Sequence, residues 1–134
     1  MSGLDSFIAA WRARDPEAVA ATYAPDGVRE QIAHPPARIE GRSALAEHVR
    51  EIMTAWPDCT LETMPEHQAG DGTITLEWIF RGTQRADYGP LPGHGQELEL
   101  HGVSVVEMDD ALIRVERVYW DTGTLMASAG VLPG

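Results

Sequence analysis

Asp121 closes the run Leu112-Ile-Arg-Val-Glu-Arg-Val-Tyr-Trp-Asp, in which a β-branched strand delivers a carboxylate beside Tyr119 and Trp120 just before a short apolar helix. Alternation along the run puts Ile113, Val115, Arg117, Tyr119 and Asp121 on one face, opposite Leu112, Arg114, Glu116, Val118 and Trp120. A carboxylate so placed can shuttle protons; Asp is equally a favoured helix N-cap, and the spacing leaves both roles open. His34 is held by Pro35-Pro36 at the end of a strand, where it can point into the mouth of a cavity. His101, mid-strand between Leu100 and Gly102, is expected to be buried in a core, a dimer interface or a pocket. Tyr23 and Tyr119 each bring a hydroxyl that needs a partner if buried, which makes them pocket candidates. Trp56 on a helix face, and Trp78 sharing a strand face with Phe80, are expected either to fill the core or to line a pocket for a flat or apolar ligand. His48, beside Glu47 and Glu51, reads as part of a solvated helix edge, and His67 and His94 sit by turns.

Other chemistries lack their residues. No pair among the five histidines has metal-ligand spacing, and the single cysteine, Cys59, has no Cys or His at a zinc-site interval, so no metal is expected. All ten basic residues are arginine, which removes Schiff-base chemistry and the phosphate-gripping lysine of a P-loop. Gly70-Asp71-Gly72 and Gly93-His94-Gly95 are loop glycines with no following helix, and no Gly-x-Ser-x-Gly elbow is present. A net charge of −11 opposes nucleic-acid binding. The first residues carry no basic stretch and no apolar run reaches membrane-span length, so a cytoplasmic location without leader or membrane segment is expected.

The elements that must position these groups belong to one domain spanning residues 1–134. Leu4, Phe7, Ile8 and Trp11 form the stripe of a first helix, with Ser2 placed to cap it. Asp15-Pro16-Glu17 opens a second, running to about Tyr23, and Val28 to Ile32 reads as a short strand. Leu45, Val49, Ile52, Met53 and Trp56 form the stripe of a third helix, ended by Pro57. The period then changes: Cys59 to His67, Thr73 to Gln84, Gln96 to Met108 and Leu112 to Trp120 are strand-like runs between turn signals. Helices first and strands last give an α+β fold. The expected form is a curved antiparallel or mixed sheet, a cone around three N-terminal helices with a short C-terminal helix and a pocket at its open end. Apolar residues on both faces of Gly102-Val-Ser-Val-Val leave one face uncovered, from which a homodimer is expected.

Arg14 to Val28 (RDPEAVAATYAPDGV), Gly41-Arg-Ser-Ala-Leu, Trp56-Pro-Asp, Phe80-Arg-Gly-Thr, Gly102-Val-Ser-Val-Val-Glu-Met and Val118-Tyr-Trp-Asp together resemble the SnoaL-like polyketide cyclase family. That family sits in the nuclear transport factor 2-like superfamily with ketosteroid isomerases and limonene epoxide hydrolases. The resemblance implies a cofactor-free reaction in the cavity, aldol ring closure in the cyclases, with the acid matching Asp121 as general acid/base. A free Asp, with a pKa of about 3.9, is a poor base at neutral pH, so an apolar setting would have to raise it. The implied ligand is a small apolar or aromatic substrate. The alternatives are a non-catalytic small-molecule binder on the same cone, an epoxide-hydrolase-like enzyme, in which Arg117 beside Asp121 would favour its ionised form, or an interaction module.

Overall fold

The computed structural model describes residues 4–32 and 34–131, so the expected cap Ser2 lies outside the described residues. Helix α1 (Asp5–Arg12) buries Phe7, Ile8 and Trp11, the expected stripe, and starts from Leu4 without a side-chain cap. Helix α2 (Pro16–Ala21) has Pro in its first turn and an Asp15 side chain that accepts from the Ala18 N–H, as the cap reading requires. Helix α3 (Arg42–Ala55) buries Leu45, Val49, Ile52 and Met53 and ends one residue short of Trp56. Helix α4 (Thr122–Ser128) buries Leu125.

Seven strands form one open, mixed sheet in the order β2-β1-β7-β6-β5-β3, with the short β4 pairing with β5. They are β1 (Tyr23–Gln31), β2 (Arg38–Glu40), β3 (Thr60–Thr63), β4 (His67–Gln68), β5 (Thr73–Thr83), β6 (Glu97–Asp109) and β7 (Leu112–Trp120). Three boundaries differ from expectation. Tyr23 opens β1 rather than closing α2, because its chain pairs with Ile113 of β7. The segment after Pro36 folds back as β2, and Met64-Pro65-Glu66 splits the expected Cys59–His67 strand in two. The β1–β7 pairing is parallel, which makes the sheet mixed, while β3, β5, β6 and β7 pair antiparallel.

Along β5 and β6, Ile74, Leu76, Trp78, Phe80, Leu98, Leu100, Ser104 and Val106 face inward and are buried. Buried residues of all four helices join them in one core cluster, which gives the α+β cone. In β7, the register with β6 jumps so that Arg114 opposes no residue. Ile113 therefore turns inward with Glu116, Val118 and Trp120, while Val115, Arg117 and Tyr119 face out. Among the described residues no helix is long and apolar enough to cross a membrane.

Candidate active site

The cone holds a cavity, open at its mouth, in which the centres of water-sized spheres can occupy about 70 Å³. Its walls are Phe7 and Trp11 of α1, Ile52 of α3, inward residues of β3, β5 and β6, Trp56, Tyr88, Trp120 and Leu125. The polar side chains among them are Arg29, Ser104 and Glu116, with the hydroxyl and indole groups of the aromatics. An apolar chamber with a few fixed polar groups is the usual form of a small-molecule site.

Glu116, 1% exposed, is the hub of those polar groups. Its Oε1 accepts from the Tyr23 hydroxyl and from Arg29 Nη1 at 3.1 Å, and its Oε2 accepts from the Ser104 hydroxyl at 2.8 Å. Ser104 in turn accepts from Trp78 Nε1 at 3.1 Å. Burial and then the Glu116 charge hold the Tyr23 phenol well above its ordinary pKa, so it stays a donor. At Arg29 desolvation lowers the pKa, and Glu116 together with Tyr23 and Tyr88 outweighs it, so the net shift is upward. A buried carboxylate paired with a buried guanidinium leaves the chamber with balanced charge.

The network continues through Gln31 to the loop that carries His34. Gln31 Nε2 donates to the carbonyls of His34 (3.3 Å) and Pro36 (3.0 Å), and the Gln31 N–H donates to Ala37 at 2.9 Å. Carbonyls can only accept, so the amide orientation is fixed, and Gln31 Oε1 must be what receives Arg29 Nε at 3.1 Å and His48 Nε2 at 2.8 Å. His48 is therefore the Nε2–H tautomer. It is 5% exposed, and the expected solvated edge is corrected: the α3 stripe is wide enough to turn the imidazole onto β1. On the opposite side, Gln84, 0% exposed, donates to the carbonyls of Ala86 and Leu91 and accepts from Gln96, clamping the loop that presents Tyr88.

Burial, then the charges of Arg29 and His34, lowers the His48 pKa to about 3. The unfolded chain binds this proton near pH 6.5 and the folded chain does not, so His48 contributes stability above 6.5 that is lost as pH falls toward 3. At pH 5 the loss is about 2 kcal/mol from this residue. Urea unfolding at pH 7.5 and 5.0 should show His48→Gln losing about 2 kcal/mol less than wild type across that interval. Equal losses would assign the acid sensitivity elsewhere.

The SnoaL-like domain family matches residues 4–116. This chain belongs to that family. Similar solved structures include TsrD from Streptomyces laurentii, 19% identical with a TM-score of 0.82, the alignment covering 97% of this chain and 93% of that one. A Catenulispora acidiphila protein with a ketosteroid isomerase-like fold, in complex with trimethylamine, is 19% identical with a TM-score of 0.81, covering 98% and 94%. The phenazine biosynthesis-related protein of Pseudomonas aeruginosa is 16% identical with a TM-score of 0.81, covering 98% and 83%. No curated protein matches the sequence.

Within this SnoaL-like cone the residues singled out from sequence separate into two groups. Tyr23, Trp56 and Trp78 stand together: Trp56 and Trp78 wall the cavity and Tyr23 binds its carboxylate. His34 is partly buried, stacked on Tyr88 with ring centroids 5.8 Å apart and tilted against Trp120 at 6.0 Å. Tyr119, 42% exposed, and His101 lie on the outer face of the sheet, where the side chain of His101 is 62% exposed, which corrects the core and pocket readings of His101. Its β6 neighbours Leu100 and Gly102 take the inward positions. Asp121 is exposed and caps α4, its carboxylate accepting from Thr124 N at 3.2 Å and Thr124 Oγ1 at 2.8 Å. Those two bonds lower its pKa rather than raise it. Arg117 pairs with Glu30 and Glu107 on the outer face instead of with Asp121. The family match ends at residue 116, before Asp121. Sequence reasoning does not single out Glu116, Arg29, Gln31 or Ser104: Glu30 stands next to Arg29, and Arg114 and Arg117 stand around Glu116, so nothing in the strands marks the buried charges from the solvated ones.

Proposed function

We propose that the cavity is the active site of a cofactor-independent enzyme of the cyclase or isomerase type, which moves a proton at a carbon beside a carbonyl of a small, flat, apolar or aromatic substrate. The observation that supports this is the set of aromatic walls around one buried Arg29–Glu116 pair, with an imidazole, His34, against two of the wall aromatics. Apolar walls strip water from the substrate, and fixed donors can then act on a developing enolate oxygen without reorganising. Burial holds the His34 pKa below the ordinary histidine value, so at pH 7 it is the neutral imidazole that can take a proton. In this reading His34 is the proton carrier. Asp121, the carrier by family resemblance, competes for the role only if its carboxylate leaves Thr124 and crosses to the inward side of β7.

Deuterium uptake from D2O at the methyl group of 2-acetonaphthone, followed by NMR, reads this step directly. His34→Gln is expected to slow the exchange by about 10²-fold or more, the usual contribution of a positioned base. Asp121→Asn, which keeps a good N-cap, should leave both exchange and stability within about twofold of wild type. The reverse pattern would transfer the role to Asp121. Wild-type exchange no faster than with equimolar imidazole would leave the chain a small-molecule binder on this fold.

A further inference from the structure

We infer that Gln31 is the positioning residue for His34: its side chain fixes the turn His34-Pro35-Pro36-Ala37 from the buried side and so sets where the imidazole stands against Tyr88 and Trp120. The inference rests on the reading of His34 as proton carrier. Gln31 is 2% exposed, and its amide is saturated. Oε1 accepts from Arg29 and His48, and Nε2 donates to the carbonyls of His34 and Pro36. The composition of the turn explains why a side chain takes this part. Proline has no N–H, so Pro35 and Pro36 give the turn two carbonyls and no donors of their own. A turn that cannot bond to itself must draw its donors from elsewhere. Gln31 supplies two from one nitrogen, while its backbone N–H closes the base of the turn on Ala37 at 2.9 Å.

The amide cannot turn over to release the turn. Flipped, its nitrogen would meet the Arg29 Nε–H and its oxygen would meet two carbonyls. Arg29 is in turn held by Glu116 at 3.1 Å, so the support runs from the buried ion pair through one amide to the main chain of His34. The bond at 3.3 Å holds the residue whose ring would take the proton, and the bond at 3.0 Å to Pro36 keeps the turn from pivoting about the first. The other side of the stack has a support of its own, because Gln84 clamps the loop of Tyr88 through the carbonyls of Ala86 and Leu91. The 5.8 Å between the His34 and Tyr88 ring centroids is therefore set by two independent props, and removing Gln31 should move one ring and leave the other. A base displaced in this way loses rate without losing the cavity that binds the substrate.

Gln31→Met keeps the length of the side chain and removes the amide. NMR reads the ring protons of His34, assigned by their disappearance in His34→Gln and shifted from their unfolded positions by the ring currents of Tyr88 and Trp120. In Gln31→Met they are expected to return at least halfway to the unfolded positions. Deuterium exchange at 2-acetonaphthone should slow by about tenfold or more, since a misplacement of about 1 Å can cost about 10²-fold. Calorimetric titration of 2,3-dimethylnaphthalene should give an affinity within about twofold of wild type, because Gln31 is not among the cavity walls. If Gln31→Met does not fold, Gln31→Glu at alkaline pH answers the same question: a carboxylate still accepts from Arg29 and His48 but has no hydrogen for the turn. His34 protons at their wild-type positions in a folded variant would overturn the inference whatever the exchange rate. Hydrocarbon affinity falling in step with exchange would overturn it too, by showing a collapsed cavity rather than a moved base. Displaced His34 protons with exchange at the wild-type rate would instead defeat the reading of His34 as proton carrier, and this inference with it.

Discussion

Replacing Glu116 with alanine is expected to lower the folding free energy by about 3–5 kcal/mol, as removal of one partner from a buried ion pair does elsewhere. The substitution strands more than one group. Arg29, 6% exposed, keeps only its bond to Gln31, and the Tyr23 and Ser104 hydroxyls lose the oxygens they donate to. Desolvation of a guanidinium is tolerated here because a carboxylate 3.1 Å away offsets it, and alanine removes the offset without admitting bulk water. Glu116→Gln keeps shape and one acceptor and should fall between alanine and wild type. The double variant Arg29→Met/Glu116→Leu removes both charges and is expected to recover most of the loss, since a hydrophobic pair of similar volume often replaces a buried ion pair at no net cost. Urea denaturation reads all of these. An alanine variant within about 1 kcal/mol of wild type would mean that water already reaches the pair and that the network is not a closed one. A stable double variant inactive in deuterium exchange would show that the charges are kept for chemistry rather than for folding.

The same residues explain how far the sequence carries. The helical stripes Leu4-Phe7-Ile8-Trp11 and Leu45-Val49-Ile52-Met53 are legible because burial follows a 3.6-residue period with no competing signal, and Asp15-Pro16 because an N-cap and a first-turn proline act locally. Strand β7 was legible in extent and in the alternation of Glu116, Val118 and Trp120 against Val115, Arg117 and Tyr119. What alternation cannot state is which face is inward. That depends on the partner strands: Ser104 across β6 and Arg29 along the parallel β1 meet Glu116 only once the sheet is assembled. Asp121 lies one residue beyond Trp120, so the face change of a single residue separates the cavity wall from the solvated cap. The Arg114 bulge hid the inward turn of Ile113 for a similar reason, since an unpaired residue leaves no mark on composition. At His48 the neighbouring Glu47 and Glu51 point to water, while its own position one turn from Leu45 and Ile52 puts it at the margin of the buried stripe, over Gln31.

Gly102→Ala should be the most damaging single methyl that can be added to this sheet's inward face. Gly102 sits opposite Trp78 in the β5–β6 register, and the indole lies across it on the way to Ser104. A Cβ built at Gly102 falls 2.3 Å from two carbons of the Trp78 ring, far inside van der Waals contact. Neither strand can yield easily, because β5 and β6 stay paired without a break from Thr73–Glu107 to Thr83–Glu97. The ring must therefore lift into the cavity. Overpacking of this kind costs about 1–3 kcal/mol, and losing the Trp78–Ser104 bond while the indole remains buried adds about 1–3 kcal/mol more. Function should suffer beyond stability: the displaced ring occupies space needed by a flat ligand, and Ser104, released from Trp78, no longer donates to Glu116 in a fixed direction. Calorimetric melting together with titration of 2,3-dimethylnaphthalene separates the two effects, with a lowered Tm and loss of hydrocarbon binding expected in the same variant. The companion substitution Trp78→Phe in the Gly102→Ala background shortens the offending side chain and is expected to restore both. Retention of wild-type melting by Gly102→Ala alone would show that the indole does not rest on Gly102, and that the cavity wall is set by some other contact.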